Sequence, residues 1–360
     1  MAISLSHGGG DTVYTSTSPS TEVLVGTLDG VVTIKRDGAD WRVTDRSLQG
    51  KHIHAVVFEE GSKQWFAGAK KGGIFASSDG GKSWEERNKG LTENDVYSLS
   101  KARVNGKVRL FAGTEPACLF ISDDLGKSWT EKPGFKNVPS HGKWSFPAPP
   151  HVGHLKHINF APGNPHTIFG SVEVGALLKS TDDGETWQEL TGVYEDVHRC
   201  VINPNNGKQL YVTGGMGLWR SQDGGATWEN TFSEGSEYGG YPDQLVFKPS
   251  DPKYMLVSAG RKTPRAWRDE HTAESRISRS RDGGATWEVL GGGLQDHMQP
   301  SVEAMCLEES GNQAQVFAGT TAGTVLWSKD GGEHWETIVK GLAPISKHGH
   351  QRALAVQTAA

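Results

Sequence analysis

The chain has 360 residues, a formal net charge of −5, 35% hydrophobic residues and 47 glycines. That composition excludes a disordered chain and suits short strands joined by tight turns. The small negative charge, with basic residues scattered along the chain, leaves no electrostatic footprint for nucleic acid or an anionic membrane.

Residues 1–18, with His7 ahead of Gly8–Gly10, read as a flexible start, and residues 1–17 have neither the basic nor the apolar part of a leader segment. No apolar run approaches membrane-spanning length. Cys118, Cys200 and Cys306 lack metal-type spacing, and their odd number argues against a disulfide framework. The expectation is a cytoplasmic protein with reduced thiols.

From Val23 the chain falls into repeats. Val23–Gly26 and Val31–Ile34 read as strands, followed by a shortened phrase, Lys35–Trp41. The next unit runs His52–Phe58, Trp65–Gly68 and Gly73–Ser77 into the full phrase Ser-x-Asp-x-Gly-x-Ser/Thr-Trp at Ser77–Trp84. The phrase returns at Ser122–Trp129, Ser180–Trp187, Ser221–Trp228 and Ser280–Trp287, and at Ser328–Trp335 with His334 replacing Ser or Thr. Seven of the twelve tryptophans lie in these phrases, at spacings of 43, 45, 58, 41, 59 and 48 residues. Four short strands per period predict an all-β fold, a single domain over 1–360 built as a seven-bladed β-propeller of four-stranded blades.

The innermost strands are expected at His52–Phe58, Asp95–Lys101, His154–Phe160, Asp196–Ile202, Tyr241–Phe247, Ser301–Leu307 and His350–Val356. The last has no outer strands after it, and the first outer strands have no obvious inner one, so the N- and C-terminal strands are expected to combine and close the ring. In the phrase itself, Asp and Ser can satisfy backbone N–H groups of a turn, Gly supplies a positive φ and Trp covers the turn. Asp79, Asp124, Asp182, Asp223, Asp282 and Asp330 are therefore set aside as structural. The long connections 133–153, 231–240 and 259–275 should share the opposite rim, where function is expected.

The phrase resembles the Asp-box, or bacterial neuraminidase repeat (BNR). The tandem is similar to the seven-bladed propellers of sortilin, of xyloglucanase-type glycoside hydrolases and of bacterial BNR-repeat glycosyl hydrolases, over about residues 20–356. The resemblance implies the fold and says little about activity. True sialidases resemble six-bladed propellers with an Arg-Ile-Pro motif. This chain lacks the motif, which argues against sialidase chemistry.

Aligned inner strands show two polar tiers. Their first positions hold His52, Asp95, His154, Asp196, Tyr241, Ser301 and His350, and two residues on stand His54, Tyr97, Lys156, His198, Asp243, Glu303 and Arg352. Period-two alternation would turn both tiers toward the channel mouth. Three readings compete: solvated lining; a divalent metal (Zn, Mn or Fe) held by His54, His154, His198 and His350 with Asp196 or Asp243; or metal-free acid/base chemistry by Asp243 and Glu303.

In the acid/base reading, His198 and Tyr97 assist, while Arg352, Lys156, Tyr241, Arg261 and Trp144 bind substrate. Phe146, Trp267, Arg265, Arg268, Glu115 and Glu173 are further rim candidates. No nucleotide or organic cofactor is indicated. The leading expectation is a hydrolase or lyase acting on a small sugar-like or carboxylated molecule. The alternative is a non-catalytic interaction scaffold.

Overall fold

The computed structural model describes residues 3–355, so Val356, the expected end of the seventh inner strand, lies outside the described residues. It contains seven sheets, each with the four radial strands the repeat predicts, and the seventh carries a fifth strand from the chain start. The second blade is typical: Ile53–Glu59 innermost, then Gln64–Ala69, Gly73–Ser77 and the short outer Glu85–Glu86, all antiparallel. Apolar side chains between neighbouring blades form the core, as where Val57, Phe66 and Ile74 meet Leu99 and Phe120 of the third blade.

Each Asp-box makes the turn from third to fourth strand. In the first full copy the Ser77 hydroxyl donates to Asp79 Oδ1 (2.8 Å) and accepts from the Gly81 N–H (2.9 Å). Asp79 also accepts from the Ser83 N–H (3.0 Å), and Trp84 Nε1 donates to the Gly81 carbonyl. His334 keeps the sixth box intact, because its Nδ1 lies 2.7 Å from Asp330 Oδ2, where Ser and Thr hydroxyls stand elsewhere. These carboxylates are spent on their own turns.

The ring closes differently from the sequence expectation. The innermost strand of the first blade is Ile3–Leu5, paired parallel with Val23–Val25, so all four strands of that blade come from the chain start. His350 and Arg352 lie instead in a helix, α2 (His348–Leu354), which packs against α1 (Pro264–Glu270) at the rim. Nor are residues 3–16 a loose lead. After Leu5 the chain crosses the channel, with Gly8 N–H donating to the His54 carbonyl (2.7 Å) and Gly10 N–H to that of Leu99 (2.8 Å). It then adds Val13–Ser16 parallel to Leu307–Ser310 of the seventh blade. The Gly8–Gly10 run is a close-approach device: a Cβ on Gly8 would sit 2.1 Å from the Tyr97 carbonyl oxygen.

A β-bulge recurs in six inner strands. Register shifts fall between Ile53 and Ala55, Val96 and Ser98, Leu155 and His157, Val197 and Arg199, Pro242 and Gln244, and Val302 and Ala304. The skipped residues are His54, Tyr97, Lys156, His198, Asp243 and Glu303, the second polar tier. A bulge re-aims the extra residue out of the ladder; repeated around the ring, it gathers six polar side chains in the channel.

Candidate active site at the channel mouth

The channel's electrostatic centre is Glu173, at the end of the second strand of the fourth blade (Asn164–Glu173) and 1% exposed. His154 Nε2 lies 2.6 Å from its Oε2, Lys156 Nζ lies 3.5 Å from Oε1, and Lys347 Nζ bonds to Oε1. Burial pushes the Glu173 carboxyl up, but Lys156 and Lys347 outweigh it and hold the group well below the usual carboxylate range. Burial likewise opposes charge on Lys347, yet Glu173, Tyr241 and Asp243 hold its ammonium well above its ordinary value. For His154, hydrogen bonds to Glu115 and Glu173 overcome burial and raise the imidazole.

Asp243 and Glu303, the expected acid/base pair, are 4% and 0% exposed and lie beneath this centre. Lys156 Nζ is 3.4 Å from Asp243 Oδ2, and the surrounding cations hold that carboxyl below its usual range against the effect of burial. The Glu303 carboxylate accepts from the Ser346 hydroxyl (2.9 Å), the Lys347 N–H (3.0 Å) and His350 Nδ1 (2.5 Å). Its oxygens are committed to docking α2, and neither Asp243 nor Glu303 lines the cleft described below.

The four histidines expected to share a metal do not converge. His54 lies with His7 and His52, His154 joins Glu115 to Glu173, His198 faces Glu173 and Asp196, and His350 holds Glu303. Three of these imidazoles follow separate blades and His350 follows α2, so each meets a different set of partners.

Above this network opens a cleft of about 440 Å³. Its floor contains Glu173, Asp196, Tyr241 and His350, and its walls contain Phe146, Tyr194, Arg265 and Arg268. The 133–153 and 259–275 insertions supply walls, α2 supplies a third, and no residue of 231–240 is among those that line the cleft. Asp196, with a 19% exposed side chain, is the more open floor carboxylate. His198 Nδ1 lies 2.7 Å from the Pro242 carbonyl, which fixes its proton there and turns Nε2 toward Asp196 Oδ1 (3.5 Å) and Glu173 Oε1 (3.6 Å). Burial raises the Asp196 carboxyl, and His198 more than reverses this. The Tyr241 hydroxyl is 3.5 Å from His350 Nε2.

Other expected binders lie elsewhere. Arg261 pairs with Glu274 at 3.3 Å, and Trp144 packs on Phe135 while donating to the Ser140 hydroxyl. Trp267 is buried under Tyr241 and His350, and Arg352 is exposed on α2. Tyr97 is buried and stacked on His154 at 3.8 Å, its phenol pushed well above the ordinary value by burial and nearby Glu173. Lys347 and Arg199 were missed. Lys347 precedes a helix with no repeat signal, and Arg199 follows a bulge that breaks the alternation.

Seven four-stranded blades, box turns on one face and a polar cleft on the other define an Asp-box seven-bladed β-propeller. The chain is such a propeller in fold and resembles the sortilin and xyloglucanase propellers. A family model described as "Sortilin, neurotensin receptor 3" matches residues 175–297, and one described as "Photosynthesis system II assembly factor YCF48" matches 34–143. A xyloglucanase from Paenibacillus sp. is 34% identical over 139 residues, covering 33% of this chain and 13% of that protein. Xyloglucanase Xgh74A of Acetivibrio thermocellus (strain ATCC 27405) is 29% identical over 143 residues, covering 33% and 16%. The chain thus spans only a small part of the curated relatives it matches.

Among solved structures, the GH74 xyloglucanase of Xanthomonas campestris superposes with a TM-score of 0.67 at 18% identity, over 94% of this chain and 55% of that one. The structure "YCF48 bound to D1 peptide" gives 0.53 at 20%, over 80% and 82%. At these identities the likeness is one of fold.

Proposed function

We propose that the chain is an acid/base enzyme of the glycosidase-like kind, acting on a small carboxylated sugar in the mouth cleft. The observation that carries this reading is the Asp196–His198–Glu173 array opening beneath Arg265 and Arg268, which have no ion pair among the described residues. One ligand-type atom from each member of the array lies within 4.8 Å of the others, so two carboxylates and an imidazole share one site, the kind of set glycoside hydrolysis uses.

In this reading His198, protonated on both ring nitrogens, passes its Nε2 proton through Asp196 to the scissile oxygen, and the attacking water returns a proton by the same route. Glu173, fixed negative by Lys347, stabilises positive charge developing on the sugar ring. Arg265 and Arg268 take the substrate carboxylate, and Phe146 and Tyr194 offer ring faces.

The test is a panel of uronosides against matched neutral glycosides. Asp196→Asn should lower kcat by about 100-fold or more with binding retained. Arg265→Ala with Arg268→Ala should raise KM for the uronosides alone. Wild-type protein that binds no carboxylated sugar, or an Asp196→Asn variant with unchanged turnover, overturns the reading.

A second reading is favoured by the single-propeller match to the peptide-bound YCF48 structure, which covers both chains nearly equally. Here the arginines would hold a peptide carboxylate. Peptide binding without turnover, insensitive to Asp196→Asn, would mark it.

A further inference from the structure

The N-terminal crossing places His7 against the second blade, apart from the acid/base array. His7 and His54 are 2% and 1% exposed, and His7 Nε2 and His54 Nδ1 are buried without a hydrogen-bond partner. The orphaned His7 Nε2, aimed into the cluster, is costly unless something binds it. The third member, His52, has its Nε2 3.0 Å from the Ser346 carbonyl, an acceptor, so its proton sits on that nitrogen and the Nδ1 lone pair faces the cluster. A backbone carbonyl on the far nitrogen is the usual support of a metal-binding histidine.

One ring nitrogen from each of the three lies within 4.8 Å of the other two. His54 Nε2 and His52 Nδ1 are 3.3 Å apart, about the separation of two nitrogens bound tetrahedrally to one zinc ion. A shift of the His54 proton to its orphaned Nδ1 would free Nε2 as a ligand. Burial and the neighbouring imidazoles and lysines hold His7 and His54 well below their ordinary values, so both are neutral, as a metal requires. The ammoniums of Lys156 and Lys347 are already ion-paired with Glu173 and Asp243. A cavity of about 40 Å³ borders His54, Tyr97 and Lys70, room for a bound water and a route from the rim.

We propose that His7, His52 and His54 form a three-imidazole site for a divalent transition metal, with its fourth position open to the small cavity. An all-imidazole set suits zinc, copper or nickel over magnesium, calcium or manganese. The ion would tie the N-terminal crossing to the second blade, and the site stands whether or not the mouth cleft is catalytic.

The experiment uses the full chain stripped with a chelator and titrated calorimetrically with zinc. The expected result is one equivalent bound per chain. His7→Gln and His52→Asn should each weaken binding by about 100-fold, whereas His166→Gln, at a half-buried site elsewhere beside Asp183, should leave zinc affinity unchanged. X-ray absorption of the zinc-loaded wild-type protein should count three imidazoles, and it decides the matter even if a variant fails to fold. Substoichiometric zinc, an unchanged affinity in His7→Gln, or fewer than three imidazoles around the ion overturns the proposal.

Discussion

At the scale of single residues, the channel depends on Glu173. Its carboxylate is shared by His154, Lys156 and Lys347, all buried. Removing one partner of a buried charge network leaves the rest uncompensated, and that loss exceeds the modest net value of the intact network. Glu173→Gln should therefore destabilise the protein by about 3–5 kcal/mol, measured by urea unfolding at neutral pH. Adding Lys347→Met in the same chain should recover part of that loss, because it removes one cation along with the anion it faced. If Glu173→Gln unfolds at the wild-type midpoint, the network is not the organising centre of the channel.

At the scale of elements, the two chain ends have unequal roles. Ile3–Leu5 is the inner strand of a blade, with Ile3 0% and Leu5 1% exposed, whereas α2 only caps the rim. A chain ending after Lys347 should keep its strand content and cooperative unfolding but lose ligand binding in the cleft, while Leu5→Ala should cost about 2–5 kcal/mol. Circular dichroism and denaturant melts read both; a shortened chain that loses its sheets would show that α2 completes the ring. The blades were legible because each box carries a turn's chemistry in eight residues, and the second polar tier was legible because it holds a fixed place in every inner strand. The bulges that aim that tier were not legible, since no residue type marks them. The Ile3–Leu5 strand was missed because three residues show no period, and the glycines after it read as slack when they mark close approach. His350 and Arg352 matched an inner strand in composition alone. Glu173 looked like one rim acid among several, because nothing in the repeat points to Lys347, which meets it from outside the blades, although His154 and Lys156 stand on the neighbouring strand of its own blade.

Across the whole molecule, the N-terminal crossing fills the channel below the mouth, so the cleft is a pocket with a buried, densely ionisable floor. That floor predicts how stability responds to pH. His7, His54 and His157 are buried and held well below their ordinary value, by burial first and then by nearby imidazoles, lysines or Arg199. Unfolded, each would protonate near its ordinary value of 6.5; folded, each resists until the pH is lower. The unfolded state therefore binds more protons below that value, and stability must fall as the pH drops. Over the pH unit below 6.5 each unfolded imidazole binds about three-quarters of a proton on average, so these three correspond to roughly 3 kcal/mol across that unit, and His350, also lowered by burial, adds in the same direction. His154 has the opposite sign: raised above its ordinary value, it contributes stability that is full below 6.5 and lost as pH rises through its folded value. Glu173, Asp196 and Asp243 are depressed, so their contribution is lost only further down, below the ordinary carboxylate range. Urea midpoints measured with a chelator present should thus drop much more between about pH 6.5 and 5.5 than between about 7.5 and 6.5, the steep region set by the histidine values. His157→Gln, which leaves both the cleft and the three-histidine cluster intact, should reduce that slope by about one proton. A flat profile across this window would mean that the buried imidazoles are already protonated in the folded channel.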